Sequence, residues 1–340
     1  MSAEGTMHAV WYERNGPAKD VLQYGVLPKP APREGEVLVQ VAASSVNPVD
    51  AKRRRGVGSV CGTPMPFPRI VPHDDGAGII ADVGPGVSAG RVGQRVWVYL
   101  AQAKRPYGPP ELRAGRAFGT AAEYVVLPEQ LALPLPDGVS FAEGSVVGIP
   151  AITAHRCILA DGNIDGRTVL VAGGAGSVGQ YAIQLAKLSG ATVIATVSGQ
   201  EKTDLVRALG ADHVVDYKRE DAAERILAAT GAVGVDLICE TDFAANLALN
   251  AQVLAPQGRI NAFGSDSQQK PEVATPGLFH KEAVIRFIYY YVFPDAAFSR
   301  AIADIGGMLE CGGLRHPVAG KFPLRPRFGS HEAGRRLRFG

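Results

Sequence analysis

The sequence predicts an α/β chain in which a mostly β segment comes first and a doubly wound parallel sheet follows. Up to about Pro136 the chain is rich in Pro and Gly, with short extended runs, and from about Val139 strands and helices alternate. Val169–Ala172 is a continuous apolar run, the pattern of a parallel strand covered on both faces. Directly after it Gly174, Gly176 and Gly179 stand at G-x-G-x-x-G spacing and open a helix near Ser177.

In the first segment, Glu36–Val41, Gly76–Val83, Arg95–Tyr99 and Ala122–Leu127 are β-favouring runs separated by Pro- and Gly-rich turns. In the second, Val178, Tyr181, Ala182, Leu185 and Leu188 fall at helical spacing and Gly190 supplies the stop. Strand Thr192–Val197, a helix through Leu205–Leu209 and strand His213–Val215 come next. Helix Glu220–Ala229, strand Val235–Cys239, helix Ala244–Leu254 and strand Arg259–Phe263 complete the alternation. The aromatic run Phe287–Val292 reads as a further strand, either in the core or at an edge that pairs with another subunit. The expected domains are 1–136, then 137–275, with 276–340 returning to the first.

The 340 residues are 46% apolar, enough for two cores, and carry 35 basic against 33 acidic side chains. That balance argues against a dedicated nucleic-acid binder. No run is long enough to span a membrane, and Met1–Met7 lacks a basic stretch followed by an apolar one, so no secretory signal is expected. Cys61, Cys157, Cys239 and Cys311 are far apart, which points to separate reduced thiols in a cytoplasmic protein.

The glycine turn after a buried strand is a dinucleotide signature. Without Cβ atoms the backbone N–H groups approach a pyrophosphate, and the helix N-terminus at Ser177, Val178 and Gly179 faces it. An NAD-binding fold places Asp or Glu at the end of its second strand for the ribose hydroxyls. Here that strand runs into Ser198, and the next acid, Glu201, falls in the following helix's first turn. A hydroxyl at Ser198 and a cation at Lys202 suit a 2′-phosphate, which an acid would repel, so NADPH is the expected cofactor.

Taken in order, further blocks join this turn. They are Ser45-Val-Asn-Pro-Val-Asp50 with Arg54 and Gly56, then Pro72 and Asp75-Gly-Ala-Gly-Ile-Ile80, and Val92-Gly-Gln-Arg-Val96. Gly148-Ile-Pro with Thr153-Ala-His-Arg156 and Leu209-Gly-Ala-Asp-His-Val-Val-Asp-Tyr217 complete the set. Together they resemble the medium-chain dehydrogenase/reductase superfamily, and within it the zinc-independent, ζ-crystallin-like quinone oxidoreductases. The resemblance implies a GroES-like catalytic domain with an inserted Rossmann domain, a quinone or conjugated enone as acceptor, and a homodimer or homotetramer. It also implies that Tyr217 joins Ser198 and Lys202 at the 2′-phosphate, and that Thr153 lies near the nicotinamide. Phe263, Gly264 and Ser265 match the loop that covers the cofactor.

Asn47 matches the family asparagine beside cofactor and acceptor, and it is equally a turn asparagine before Pro48. Asp50 either orients Arg54 or caps the helix that follows. Lys52–Arg55 reads as a solvated helix face. Zinc-dependent relatives carry Gly-His-Glu where this chain has His73-Asp74-Asp75, which puts Asp74 at the metal position; no metal is expected. The stretch after His331-Glu-Ala333 departs from the family's closing strand, so an altered C-terminal edge is expected.

Overall fold

The computed structural model describes residues 5–56, 65–102, 112, 115–267, 270–273, 275–316 and 318–325. Cys61, much of the loops 56–68 and 102–117, and the C-terminal stretch from His331 lie outside the described residues.

The described chain divides into two compact units. The first comprises 5–149, 291–296 and 302–325. Its strands are β1 (Thr6–Trp11), β2 (Gln23–Pro28), β3 (Glu36–Ser45), β4 (Asp75–Val83), β5 (Arg95–Val98), β6 (Tyr124–Pro128) and β7 (Ala132–Pro134). β1 and β2 form a hairpin, and the others make an antiparallel sheet in the order β6-β3-β4-β5-β7. Its helices are α1 (Ala18–Val21), α2 (Pro48–Arg55) and α3 (Phe141–Ser145). Segment 137–149, expected at the start of the second domain, belongs here because α3 packs on β3, β4 and β5.

α4 (Gly148–Leu159) leads into the second unit, residues 150–290 with 297–301. β8 (Thr168–Val171), α5 (Ser177–Leu188), β9 (Thr192–Val197), α6 (Gln200–Ala208) and β10 (His213–Asp216) follow. Then come α7 (Ala222–Ala229), β11 (Val235–Glu240), α8 (Phe243–Val253), β12 (Leu254–Ala262), α9 (Thr275–Phe279) and β13 (Val284–Phe287). The sheet runs β10-β9-β8-β11-β12-β13 and every pair is parallel. Leu170, Ile194, Ile238 and Ile260 of the inner strands are buried, which is why those runs read as unbroken apolar stretches. The last helix among the described residues is α10 (Asp295–Glu310). Among the described residues no helix is long and apolar enough to cross a membrane.

Three expectations are corrected. Leu188 is 56% exposed, and α5 buries Gln180 and Gln184 instead, because this helix is enclosed on more than one side. Lys52–Arg55 is not a solvated face: Arg54 is buried and Arg53 is held in an ion pair. The aromatic run is not one strand. Only Phe287 belongs to β13, whose last ladder bond is Ile288 N–H to Ala262 O at 2.7 Å, and Tyr290–Val292 is a single 3₁₀ turn. That turn buries Tyr291 in the first unit, where its hydroxyl finds a carboxylate.

Candidate active site

In the parallel-sheet unit, β8 delivers the glycine turn to the carboxyl end of the sheet, where such folds bind ligands. Gly173, which the motif spacing does not single out, carries the left-handed backbone of the turn with φ +66°. Its N–H donates to Thr196 Oγ1 at 3.1 Å, and Gly174 N–H donates to Thr196 O at 3.0 Å, so the turn is tied to β9. Gly176 is the N-cap of α5. A Cβ on Gly179 would lie 2.5 Å from Gly173 O and 2.8 Å from Gly174 Cα, a clash with backbone on both counts. The N–H groups of Ser177, Val178 and Gly179 open α5, and groups in that position have no partner within their own helix. The turn therefore has the cradle and the donors that a pyrophosphate requires.

At the end of β9, Lys202 Nζ donates to Ser198 Oγ at 2.8 Å. Glu201 lies in the first turn of α6, as expected. Burial, and then the Lys218 ammonium, hold the Lys202 ammonium below its ordinary value. Lys218 is thus a second cation at this corner, beside half-exposed Tyr217, and adjacency to Tyr217 was its only signal in sequence. Asp216, an acid whose charge favours the Lys202 ammonium, accepts Gly199 N–H at 3.0 Å through Oδ2 and Lys218 N–H at 3.2 Å through Oδ1. Phe263, Gly264 and Ser265 form a half-buried segment just past β12. It is pinned by Phe263 N–H to Glu240 O at 3.0 Å and by Phe243 N–H to Gly264 O at 2.9 Å. Thr153, on α4, is 4% exposed, and its hydroxyl oxygen has no hydrogen-bond partner. A buried hydroxyl left so is a place for a ligand's polar group.

The first unit builds a different kind of site. Asn47 is the N-cap of α2, with Pro48 at the first helical position, and it is 4% exposed. Asp50 caps α2 rather than orienting Arg54: its carboxylate accepts Asn47 N–H at 2.8 Å, while Arg54 reaches Gly16 O. Asn47 Nδ2 donates to Asp75 Oδ2 at 2.8 Å. Asp74, fully buried, pairs through Oδ2 with Arg53 Nη1 at 2.8 Å and accepts the Tyr291 hydroxyl at 3.3 Å. Its Oδ1 accepts Gln102 N–H at 3.0 Å. Arg53 also stacks on the Tyr291 ring, 5.4 Å from its centroid.

Burial pushes the Asp50 carboxyl up to about 7, and the Asp74 charge adds to this against the pull of Arg53. Burial likewise raises Asp75 well above the ordinary carboxylate range. Tyr12 nearby is pushed up to about 12, again chiefly by burial. Asp75, Arg53 and Tyr291 were missed by sequence reasoning, because partners 21 to 217 residues apart leave no spacing signal.

His73 has φ +80°, the conformation natural to the glycine that opens the family's Gly-His-Glu triplet. Thr120 Oγ1 donates to Asp75 O at 2.6 Å, so it accepts from Ser44 Oγ at 2.8 Å. Ser44 in turn accepts from His73 Nδ1 at 2.8 Å, which fixes the proton on that nitrogen. With Arg53, Tyr291 and Gln102 N–H on its oxygens, Asp74 is an ion-pair partner rather than an open ligand. Among the described residues no three His, Cys, Asp or Glu side chains group as a metal site.

Two family models match the chain, an alcohol dehydrogenase GroES-like domain over residues 33–137 and a zinc-binding dehydrogenase over 177–305. Rat quinone oxidoreductase is 29% identical over 94% of this chain and 91% of its own length. A chloroplastic quinone-oxidoreductase homologue from spinach is 35% identical over 64% of this chain, which spans 63% of that relative. Among solved structures, the mycobacterial protein Rv1454c complexed with NADPH is 28% identical with a TM-score of 0.79, covering 97% of this chain and 96% of that one. The chain belongs to the medium-chain dehydrogenase/reductase superfamily, in its ζ-crystallin-like quinone oxidoreductase family.

Proposed function

We propose that this chain is an NADPH-dependent oxidoreductase that reduces a quinone or conjugated enone without zinc. The observation that carries the reading is the bonded Ser198–Lys202 pair, with Lys218 beside it, where NAD-binding folds place an acid. The NADPH in the similar mycobacterial structure and the quinone acceptor in the rat relative's name point the same way.

When bound, NADPH supplies the hydride. Ser177, Val178 and Gly179 would offer their backbone N–H groups to its pyrophosphate, and Gly174 and Gly176, whose own N–H groups are bonded within the turn, would shape its approach. Ser198, Lys202, Tyr217 and Lys218 hold the 2′-phosphate, and Phe263, Gly264 and Ser265 cover the nucleotide. Thr153 offers its unpartnered hydroxyl to the nicotinamide end, and Asn47 orients the reacting ends. An electron-poor acceptor spreads incoming charge over its own π-system, so it needs no Lewis acid of the kind an alkoxide-forming dehydrogenase uses. Asp74, committed to Arg53, is poorly suited to supply a metal ligand. β13 ends the sheet with Val284 and Phe287 exposed, an edge that a second copy would cover in the expected homodimer.

Lys202→Ala tests the reading. Losing a charge-assisted contact of about 1.5–3 kcal/mol should weaken NADPH by roughly ten- to a hundredfold and leave NADH unchanged. Calorimetric titration with both nucleotides would show it, and equal weakening of both would remove the 2′-phosphate assignment. Metal analysis of the purified protein, with turnover measured with and without chelator, checks the zinc-free part. Stoichiometric zinc would favour the alcohol dehydrogenase alternative.

A further inference from the structure

Asp75 is fully buried at the start of β4. Its Oδ2 accepts two N–H groups, Asn47 Nδ2 and Ile149 N, each at 2.8 Å. Its Oδ1 has no hydrogen-bond partner and is wedged against Gly148, where a Cβ would come within 2.2 Å of it. An oxygen receiving two N–H groups acts as an acceptor in either protonation state, so a carboxyl proton, when present, falls on Oδ1.

The two ends of a carboxamide have opposite chemistry. Facing that acceptor, Asn47 must present its NH₂, because turning the amide over would set oxygen against oxygen in a buried place. The main chain of Asn47 is fixed as well, by Asp50 at 2.8 Å and by Pro48. The amide oxygen, aimed away from Asp75, faces the Asp50 backbone N–H in the capping box of α2, which agrees with the orientation Asp75 imposes and leaves that oxygen a second lone pair, with one N–H in fixed order beside it. The oxygen suits a hydroxyl donor such as a ribose hydroxyl; the N–H suits the oxygen of an electron-poor acceptor.

We propose that Asp75 is a positioning residue that sets which way the Asn47 carboxamide faces and so fixes the order of donor and acceptor offered to the reactants. The inference rests on the role proposed above for Asn47. It concerns the acceptor oxygen on Asp75 and not its charge, and this separates the variants: Asp75→Asn keeps an oxygen for both N–H groups, whereas Asp75→Ala does not.

The first measurement uses nucleotide-free protein labelled with ¹⁵N-asparagine, with the Asn47 side-chain signals assigned by their loss in Asn47→Ala. In wild type and in Asp75→Asn these amide protons should exchange at least about tenfold more slowly than those of exposed asparagines. Exchange at the exposed rate in wild type would overturn the inference, whether or not Asp75→Ala folds. The second is a cycle of kcat values. Asp75→Ala should lower kcat by about ten- to a hundredfold, as loss of a supporting partner does, and Asp75→Asn should stay within about threefold of wild type. Added to Asn47→Ala, Asp75→Ala should cost nothing more; equal losses in both backgrounds would overturn the proposal. Wild-type turnover in Asn47→Ala would instead sink the reading of Asn47 itself, while the exchange result would still judge the contact.

Discussion

At the glycine turn of the parallel-sheet unit, geometry is held by backbone against backbone: Gly173 and Gly174 are bonded to Thr196, and Gly179 is pressed onto Gly173. Around α2 and β4 of the other unit it is held by buried carboxyl groups, with Asp50 and Asp75 bonded to Asn47 and neighbouring Asp74 ion-paired to Arg53. The two arrangements fail differently. A backbone cradle tolerates almost any change of surface charge but not one added carbon. A buried charge cluster tolerates modest changes of volume but not the loss of one partner, because the other is left ionised without water.

The largest effect expected from this contrast is at Arg53. Arg53→Met takes the ion-pair partner from the fully buried Asp74 carboxylate and leaves it the hydrogen bonds from the Tyr291 hydroxyl and Gln102 N–H. Breaking a buried pair from one side costs about 3–5 kcal/mol, whereas replacing both partners by apolar groups is often neutral. Urea denaturation should therefore find Arg53→Met strongly destabilised and Arg53→Met/Asp74→Leu largely recovered. A loss below about 1 kcal/mol for the single variant would mean that the pair behaves like a surface one, and the contrast between units would collapse.

The next effect is at the turn. Gly179→Ala forces a methyl to within 2.5 Å of Gly173 O, and neither neighbour is a side chain that can swing aside. Overpacking of this kind costs about 1–3 kcal/mol. The shift also moves the first N–H groups of α5, so nucleotide affinity should fall with stability. Gly176→Ala sharpens the comparison, since its Cβ would meet nothing closer than Gly173 O at 3.3 Å. It should lose less stability than Gly179→Ala in the same denaturation experiment; the reverse order would show that the clash at Gly179 is relieved cheaply.

This difference also decided what could be read in the sequence. Backbone geometry leaves glycines behind, and Gly174, Gly176 and Gly179 lie within one short stretch, so the turn, its helix and the alternation of parallel strands with helices were legible. Gly173 was overlooked only because the motif spacing skips it, although its positive φ makes the turn. Ser198 and Lys202 were legible because they lie four residues apart on a strand end and a helix start whose roles are set by the fold. Arg53, Asp74 and Tyr291 were not, because charge pairing acts through space and any acid at position 74 could have faced solvent. The same blindness made Lys52–Arg55 look like a solvated face and Phe287–Val292 like a strand. In both cases a buried carboxylate, Asp74, draws Arg53 and Tyr291 inward.

The smallest expected effect concerns how the acidic cluster responds to pH. Folded Asp50 titrates at about 7, well above the 3.8 of a free aspartate, chiefly because it is buried. Between those values the folded chain holds a proton that the unfolded chain has released. The stability this carboxyl gives is thus complete below about pH 4 and is lost as pH rises through 7. Carboxylates held low by partners, such as Asp161 under Arg286 and Glu143 under Ser140, act in the opposite sense and below that window. Asp50→Asn keeps an oxygen for the Asn47 N–H but removes the titration. Relative to wild type it should therefore gain about 1–2 kcal/mol between pH 5 and pH 7, under the one-proton ceiling of about 1.4 kcal/mol per pH unit. Urea denaturation of both proteins at intervals across that range would measure the difference. Parallel curves would mean that Asp50 ionises at an ordinary value, and that the cluster around Asn47 is hydrated rather than held by charge in a dry interior.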